Sequence, residues 1–178
     1  MNLLRLLHNA IIDNVTHALI GGISWTIVCL NGDKGFKKAN ELLEIICCTI
    51  LSSIIDLDHF IEARSVLLKN ATKLNKRPFL HCSTIPIVLS VVLLLWSYLA
   101  SYQFLKRFAL LVLTAFATHH IRDATRRGLW LWPFGSTPAI PYGIYIGLLC
   151  VFPHIMVIAD GLIKIDKSQS NIYYSFVI

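Results

Sequence analysis

Long apolar runs alternate with short polar segments along the chain. Five of these runs are long enough to cross a membrane as helices, and they lie at about 14–30, 42–59, 79–102, 108–122 and 142–163. The segments between them contain turn-forming residues, such as Asn31-Gly32-Asp33. The pattern predicts an all-α integral membrane bundle of about five transmembrane helices, with one membrane domain over 1–163 and a short C-terminal tail at 164–178.

The composition supports a membrane location. Of 178 residues, 56% are hydrophobic and 15% are charged, whereas soluble domains carry about 25% charged residues. The net charge is +6, but the basic residues stand singly or in pairs between apolar runs, where they set topology rather than form a nucleic-acid surface. We therefore expect the lipid bilayer as the partner and no nucleic acid. A slight excess of basic residues on the N-terminal side favours a cytoplasmic N-terminus.

The first twelve residues precede the first long run. They contain one arginine and a short apolar stretch without a small-residue cleavage site. The polar residues Asp13 and Asn14 follow. The pattern predicts a short interfacial helix with Leu4, Leu7 and Ile11 facing lipid, rather than a removed signal peptide.

Histidines and aspartates gather at the ends of four of the apolar runs, at His17, Asp56, Asp58, His59, His81, His119 and Asp123. Residues three or four apart share one face of a helix, as Asp56 does with His59 and His119 with Asp123. Successive membrane helices alternate in direction, so the start of one lies beside the end of the next. The four groups are therefore expected on the same side of the membrane, in one shared site.

Imidazole and carboxylate groups make a mixed nitrogen and oxygen donor set. Such a set suits zinc, manganese or iron(II). A metal ion of this kind polarises an ester or phosphoryl oxygen, and a remaining carboxylate serves as general base, so a metal-dependent hydrolase is predicted. The predicted metal ligands are His17, Asp56, His59, His81 and His119, and the predicted catalytic carboxylates are Asp58 and Asp123.

Two other functions stay open. Polar residues at helix ends also join helices by hydrogen bonds, which favours a non-catalytic membrane scaffold or assembly protein. Asp123, for example, has Arg122 and Arg126 nearby in the sequence as alternative partners. Two close acids, Asp56 and Asp58, would repel one another at the membrane edge without a cation or base between them, which favours a site. A transporter ranks third, because the nearest candidate for a deep acid, Asp160, is expected near the far interface.

Four short strings carry a resemblance to a known family. They are D-N-V-T-H at 13–17, D-L-D-H-F at 56–60, R-P-F-L-H-C-S at 77–83 and H-H-I-R-D at 119–123. Together they resemble the eukaryotic transmembrane protein 267 family over about residues 13–163. The resemblance implies a multi-pass membrane protein.

A more distant resemblance is to the LexA-regulated, membrane-bound metal-dependent hydrolases of bacteria, whose pattern includes T-H, P-D-x-D-H, H-R-G-x-T-H-S and H-x-x-x-D. That resemblance implies metal-site roles for the same seven histidines and aspartates. The chain departs from the pattern at three positions, with Ile55 for proline, Lys76 for histidine and Pro78 for glycine. A lysine in place of a histidine ligand would bring in a cation and abolish or weaken metal binding. The resemblance therefore also allows a degenerate relative of these hydrolases that no longer catalyses the reaction.

Overall fold

Seven α-helices and one small hairpin make up the described part of the chain, residues 3–32 and 38–165 of a computed structural model. The helices are α1 Leu3–Asn31, α2 Lys38–Ile54, α3 Asp58–Glu62, α4 Leu68–Ala71, α5 Thr84–Leu99, α6 Gln103–Arg127 and α7 Tyr142–Leu162. Strands β1 (Trp130–Leu131) and β2 (Gly135–Ser136) pair antiparallel in the α6–α7 connection. Most of the predicted tail, from residue 166 onward, lies outside the described residues.

The N-terminal segment and the first apolar run form one continuous helix. We expected a separate interfacial helix, but α1 extends from Leu3 to Asn31. Its polar residues do not interrupt it, because Asn14 donates a hydrogen bond to the Ser53 carbonyl of α2 at 2.9 Å. Leu4 is 73% exposed on the outer side of α1. The early part of α1 therefore belongs to the bundle.

Short turns interrupt the second and third predicted helices where the candidate site residues occur. α2 ends at Ile54, and a single 3-10 turn, Ile55–Leu57, leads into the short α3. Another 3-10 turn, Phe79–His81, precedes α5 after Pro78, whose fixed backbone suits a helix N-cap position. Asp56 and His81 therefore lie on short turns and Asp58 begins α3, where the chain bends towards α6.

The outer surface of the bundle is apolar. α1 over Leu4–Asn31 and α7 are long and apolar enough to cross a membrane, and α5 is a shorter apolar helix. Large side chains are exposed on each of these helices, including Ile23, Leu95 and Ile158, each 60% exposed. An apolar surface of this extent fits lipid rather than water.

A close contact between α1 and α2 sets the relative positions of two site segments. A Cβ atom at Gly21 would lie 1.9 Å from Ser52 Oγ, so only glycine allows α1 to approach α2 this closely. Trp25 and Val28 then pack in a core with Leu110 of α6 and Met156 of α7. This packing brings the His17 level of α1 beside the end of α2.

Charged residues near the start of α6 are buried, contrary to our expectation. The sequence pattern predicts a tight hairpin at Lys106 and Arg107 before the fourth apolar run, and places Asp160 near the far interface. The hairpin lies earlier, between α5 and Gln103, and Lys106, Arg107 and Asp160 are each 2% exposed or less. Lys106 Nζ lies 2.9 Å from Asp160 Oδ1, and Arg107 pairs with Glu44 as well as Asp160. The pairing lowers the cost of burying these charges.

Candidate metal centre

The turns before α3 and α5 and the end of α6 surround a cavity of about 590 Å³. Asp56, His59, His81 and Asp123 line it. His17 and His119 lie behind these residues and are 1% and 0% exposed. The structure thus brings together all seven histidines and aspartates that the sequence singles out.

Asp58 holds His81 in a defined orientation. Asp58 Oδ2 accepts a hydrogen bond from the Leu80 backbone N–H at 2.8 Å and lies 3.2 Å from His81 Nδ1. A carboxylate at Nδ1 keeps the proton of a neutral imidazole on that nitrogen. In this neutral tautomer Nε2 of His81 carries the lone pair that can bind a metal ion.

His119 is oriented in the same way by the backbone of α2. Its Nδ1 lies 2.8 Å from the Ser52 carbonyl oxygen, which can only accept, so Nδ1 carries the proton. Its Nε2 lies 3.2 Å from Nε2 of His81. Two nitrogen lone pairs at this distance repel one another unless a proton or a metal cation lies between them.

Four donor atoms form a compact set around this point: His81 Nε2, His119 Nε2, Asp56 Oδ1 and Asp123 Oδ2. His81 Nε2 lies 3.2 Å from Asp123 Oδ2 and 3.6 Å from Asp56 Oδ1. His119 Nε2 lies 3.5 Å from each of these two oxygens. Tetrahedral zinc, with bonds of about 2.0–2.1 Å, separates its ligand atoms by about 3.3–3.4 Å. The separations that involve the two imidazole nitrogens are therefore close to those between ligands of a zinc-sized cation.

The electrostatics of the turns favour positive charge. Burial alone would raise the pKa of Asp58, but the neighbouring imidazoles of His59 and His81 outweigh it and lower the pKa to about 2. Burial alone would lower the pKa of His81, yet the carboxylates of Asp123, Asp56 and Asp58 raise it to about 11. Asp58 is therefore a carboxylate at neutral pH, and protons compete with metal for the His81 position.

His59 and His17 occupy opposite sides of the four-donor set. His59 Nδ1 lies 3.2 Å from Asp58 Oδ1 and 3.8 Å from Asp56 Oδ1. The ring of His17 stacks on His119 with 3.8 Å between centroids. His17, Asp56, His119 and Asp123 offer donor atoms that all lie within 4.8 Å of one another, and Asp56, His59 and His81 form a second such group.

His120 and Lys76, which are close to the site residues in the sequence, do not belong to the four-donor set. His120 is hydrogen-bonded at both nitrogens, to Ser83 Oγ at 3.0 Å and to the Leu80 carbonyl at 2.9 Å. It therefore supports the His81 turn. Lys76 is exposed and lines a separate cavity beside Lys73. The lysine at this position thus brings no cation among the donors.

Asp13 lies beside the site, although it is not among the seven residues that the sequence singles out. Its carboxylate pairs with Arg126 at 2.6 and 2.7 Å and with Arg122 at 3.0 Å. These arginines thus pair with Asp13 and leave Asp123 to the histidines. A signal existed in the sequence, because Asp13 precedes His17 by one helical turn and shares its face.

Comparison with known proteins identifies the family. A family model described as YdjM inner membrane protein matches residues 12–178. The chain belongs to the YdjM inner membrane protein family. Its membrane location and largely helical structure agree with this family's description.

The chain is also similar to proteins named Transmembrane protein 267. It is 43% identical to that of Mus musculus over 82% of the chain and 66% of the relative, and 40% identical to that of Xenopus laevis over the same shares. Identity to that of Danio rerio is 38% over 82% of the chain and 64% of the relative. The chain thus spans just under two thirds of the length of these relatives. No solved structure matches the chain. The predicted resemblance to transmembrane protein 267 is confirmed.

Proposed function

We propose that this protein is a multi-pass membrane hydrolase that depends on a divalent transition metal, namely zinc, manganese or iron(II). The single observation that carries the proposal is the four-donor set, in which each imidazole nitrogen lies 3.2–3.6 Å from the other three donor atoms, the spacing of neighbouring ligands on a tetrahedral metal. Both imidazoles of this set are oriented through Nδ1, which leaves Nε2 available. Metal-ligating histidines typically donate a hydrogen bond of this kind from the ring nitrogen that does not bind the metal.

The proposal includes five membrane-crossing helices: α1, α2, α5, α6 and α7. Length and apolar composition support α1 and α7 directly. In α2 and α6 the membrane-embedded charges are Glu44, Lys106 and Arg107, and they pair with one another and with Asp160 inside the bundle. Pairing of this kind permits charged residues within a membrane helix.

In this hydrolase, His81, His119, Asp56 and Asp123 hold the cation. When bound, the cation supplies Lewis-acid polarisation of an ester or phosphoryl oxygen and acidifies a water molecule. Asp58 contacts two imidazoles, with Oδ2 at His81 and Oδ1 at His59. We infer that Asp58 positions both rings, and that His59, which lines the cavity, transfers the proton of the attacking water.

The cavity suits a substrate with an apolar part. One wall consists of Leu7, Ile11, Leu57 and Phe60. Leu7 and Ile11 are also 47% and 53% exposed on the apolar outer surface, so the wall continues into the lipid-facing side. Three arginines, Arg77, Arg126 and Arg127, line the other side. This arrangement supports an ester or phosphoester of a membrane amphiphile with an anionic group as the substrate class.

The test measures metal and hydrolysis together on detergent-purified protein. Bound zinc, manganese and iron are quantified by mass spectrometry, and amphiphilic ester and phosphoester probes are assayed in mixed micelles. We expect bound metal and activity that a chelator removes and zinc or manganese restores. His119→Ala should lose both, whereas His154→Ala, an exposed residue of α7, should keep both. Protein that binds no transition metal would rule out the hydrolase.

A non-catalytic scaffold is the second candidate, and one observation favours it. A protonated His81 would join Asp56, Asp58 and Asp123 without any metal. Under this alternative the cluster only holds the turns against α6. His119→Ala would then lower the stability of metal-free protein as much as that of the zinc-treated protein. The metal-dependent hydrolase predicts a larger loss in the presence of zinc.

A further inference from the structure

His17 is a predicted metal ligand that does not belong to the four-donor set. It is 1% exposed, and neither ring nitrogen makes a hydrogen bond within residues 3–32 and 38–165. Buried polar groups are almost always paired, so a buried imidazole without a partner indicates a missing ligand. His17 precedes Gly21, where α1 packs closely against α2, by one helical turn, and its ring stacks on His119 with 3.8 Å between centroids.

The Nε2 atom of His17 faces the two carboxylates of the four-donor set from the other side. It lies 3.5 Å from Asp123 Oδ1 and 3.9 Å from Asp56 Oδ2. The four-donor set contains the other oxygen of each carboxylate, Oδ2 of Asp123 and Oδ1 of Asp56. Asp123 Oδ1 and Asp56 Oδ2 therefore do not belong to that set. One nitrogen and two oxygens thus form a separate group that shares both carboxylates with the first.

We propose, resting on the proposed function, that the protein binds a second divalent cation between His17 Nε2, Asp123 Oδ1 and Asp56 Oδ2. Asp56 and Asp123 then bridge two cations, as carboxylates do in two-metal hydrolases, where the ions lie about 3.5–4 Å apart. The ligand is a divalent ion such as zinc or manganese, which imidazole and carboxylate donors suit.

A proton on His17 explains this geometry less well than a cation. A charged N–H donor and a carboxylate normally approach to about 2.7–2.9 Å. The separations of 3.5 and 3.9 Å are longer than that. A cation about 2 Å from each donor atom spans separations of this size, because the ligand atoms then lie on different sides of the ion.

A second cation narrows the class of substrate. Paired cations stabilise both the attacking and the leaving oxygen in displacement at phosphorus. Two arginines at the cavity other than the Asp13-paired Arg126, namely Arg77 and Arg127, add positive charge that suits a phosphate oxygen. A dinuclear centre therefore favours a phosphoester of an amphiphile over a carboxylic ester.

The experiment counts and characterises manganese in the full chain in detergent. Wild-type protein, His17→Ala, His17→Phe, His81→Ala and the exposed control His154→Ala are loaded with Mn²⁺ and passed through a desalting column. Bound manganese is measured by mass spectrometry and its magnetic state by electron paramagnetic resonance. His17→Phe keeps a ring against His119 and offers no donor, so it separates loss of a ligand from loss of packing.

We expect about two manganese ions per chain with exchange-coupled spectra in wild type and in His154→Ala. Both His17 variants should hold about one ion with the spectrum of isolated Mn²⁺, and His81→Ala should lose the first site. One ion in wild type and in the His17 variants would overturn the second site and leave the proposed hydrolase standing. Two coupled ions in the His17 variants would overturn the role of His17. No bound ion in wild type would overturn both proposals.

Discussion

Helix α6 carries two buried polar clusters, one near each of its ends, and they differ in how their charges are balanced. Near its start, Lys106 and Arg107 meet Glu44 and Asp160, two cations with two anions. Near its end, the ion pairs of Asp56, Asp58 and Asp123 in the described chain are all with histidines. In the first cluster lysine and arginine balance the carboxylates, whereas in the second such a balance would need protons or a cation at the histidines.

Hydrogen bonds in the cluster near the start of α6 also join its helices. Lys106 Nζ donates to the backbone carbonyls of Asp160 and Ile163 at 2.9 and 3.2 Å. The guanidinium of Arg107 lies 5.3 Å from the ring centroid of Trp25, whose indole N–H donates to Glu44. These contacts join α6 to α1 and to the C-terminal end of α7, and they join α1 to α2. The two clusters differ because lysine and arginine carry fixed charges, whereas the charge of an imidazole depends on protons or on a bound ion.

The largest effect is expected from Arg107→Met. Removing this guanidinium leaves Glu44 and Asp160 with an uncompensated buried negative charge, which costs about 3–5 kcal/mol of unfolding free energy. Denaturant or SDS titration of the purified protein measures the loss. Lys69→Met, which removes an exposed cation, is the matched control and should change stability little. If Arg107→Met is as stable as Lys69→Met, the cluster near the start of α6 does not hold the bundle.

His119→Ala should come next and should act on metal binding. The substitution removes one of four ligands, so we expect zinc affinity to fall by more than about 100-fold, or about 2.7 kcal/mol. Competition titration with a chromophoric chelator measures the affinity. Arg107→Met is the comparison variant. It should lower stability, but the protein that remains folded should bind zinc with normal affinity. Equal zinc affinity in His119→Ala and wild type would contradict the four-donor set.

Asp58→Asn should have a smaller effect at the same site. The amide keeps an acceptor for the Leu80 backbone N–H but loses the charge that orients His81. Removing an outer contact of a metal ligand typically lowers metal affinity by about 10–100-fold. The same titration measures it, with circular dichroism as the check of folding. A loss as large as that of His119→Ala would mean that Asp58 binds the metal itself, as a first ligand.

The smallest effect is expected from Asp13→Asn. Asp13 pairs with Arg126, which is half exposed, so the ion pair is worth about 1 kcal/mol or less. Thermal unfolding measures this difference, and zinc affinity should stay within a factor of about two of wild type because Asp13 is not a donor. A large fall in zinc affinity would show that Asp13 and its arginines are part of the metal centre.

The site residues could be found from the sequence because of two regular features. Apolar runs show where helices lie, and antiparallel helices place alternate ends side by side, so His17, Asp56, His81 and His119 could be expected together. The individual roles could not be found in this way. Asp58 and Asp56 are two residues apart, yet one supports imidazoles while the other faces the cation position, because the 3-10 turn before α3 points them differently.

Hydrophobic length and helical spacing are local properties, so the sequence alone was enough to predict a helical membrane protein with its histidines and aspartates at one end of the bundle. Helix packing was needed to show which donor atoms lie next to one another, that the ring nitrogens of His17 make no hydrogen bond in the described chain, and that Lys106 and Arg107 are inside. Lys106 meets Asp160 across 54 residues, and Asp13 meets Arg126 across 113. Such partners are chosen by helix packing, which no short stretch of sequence contains.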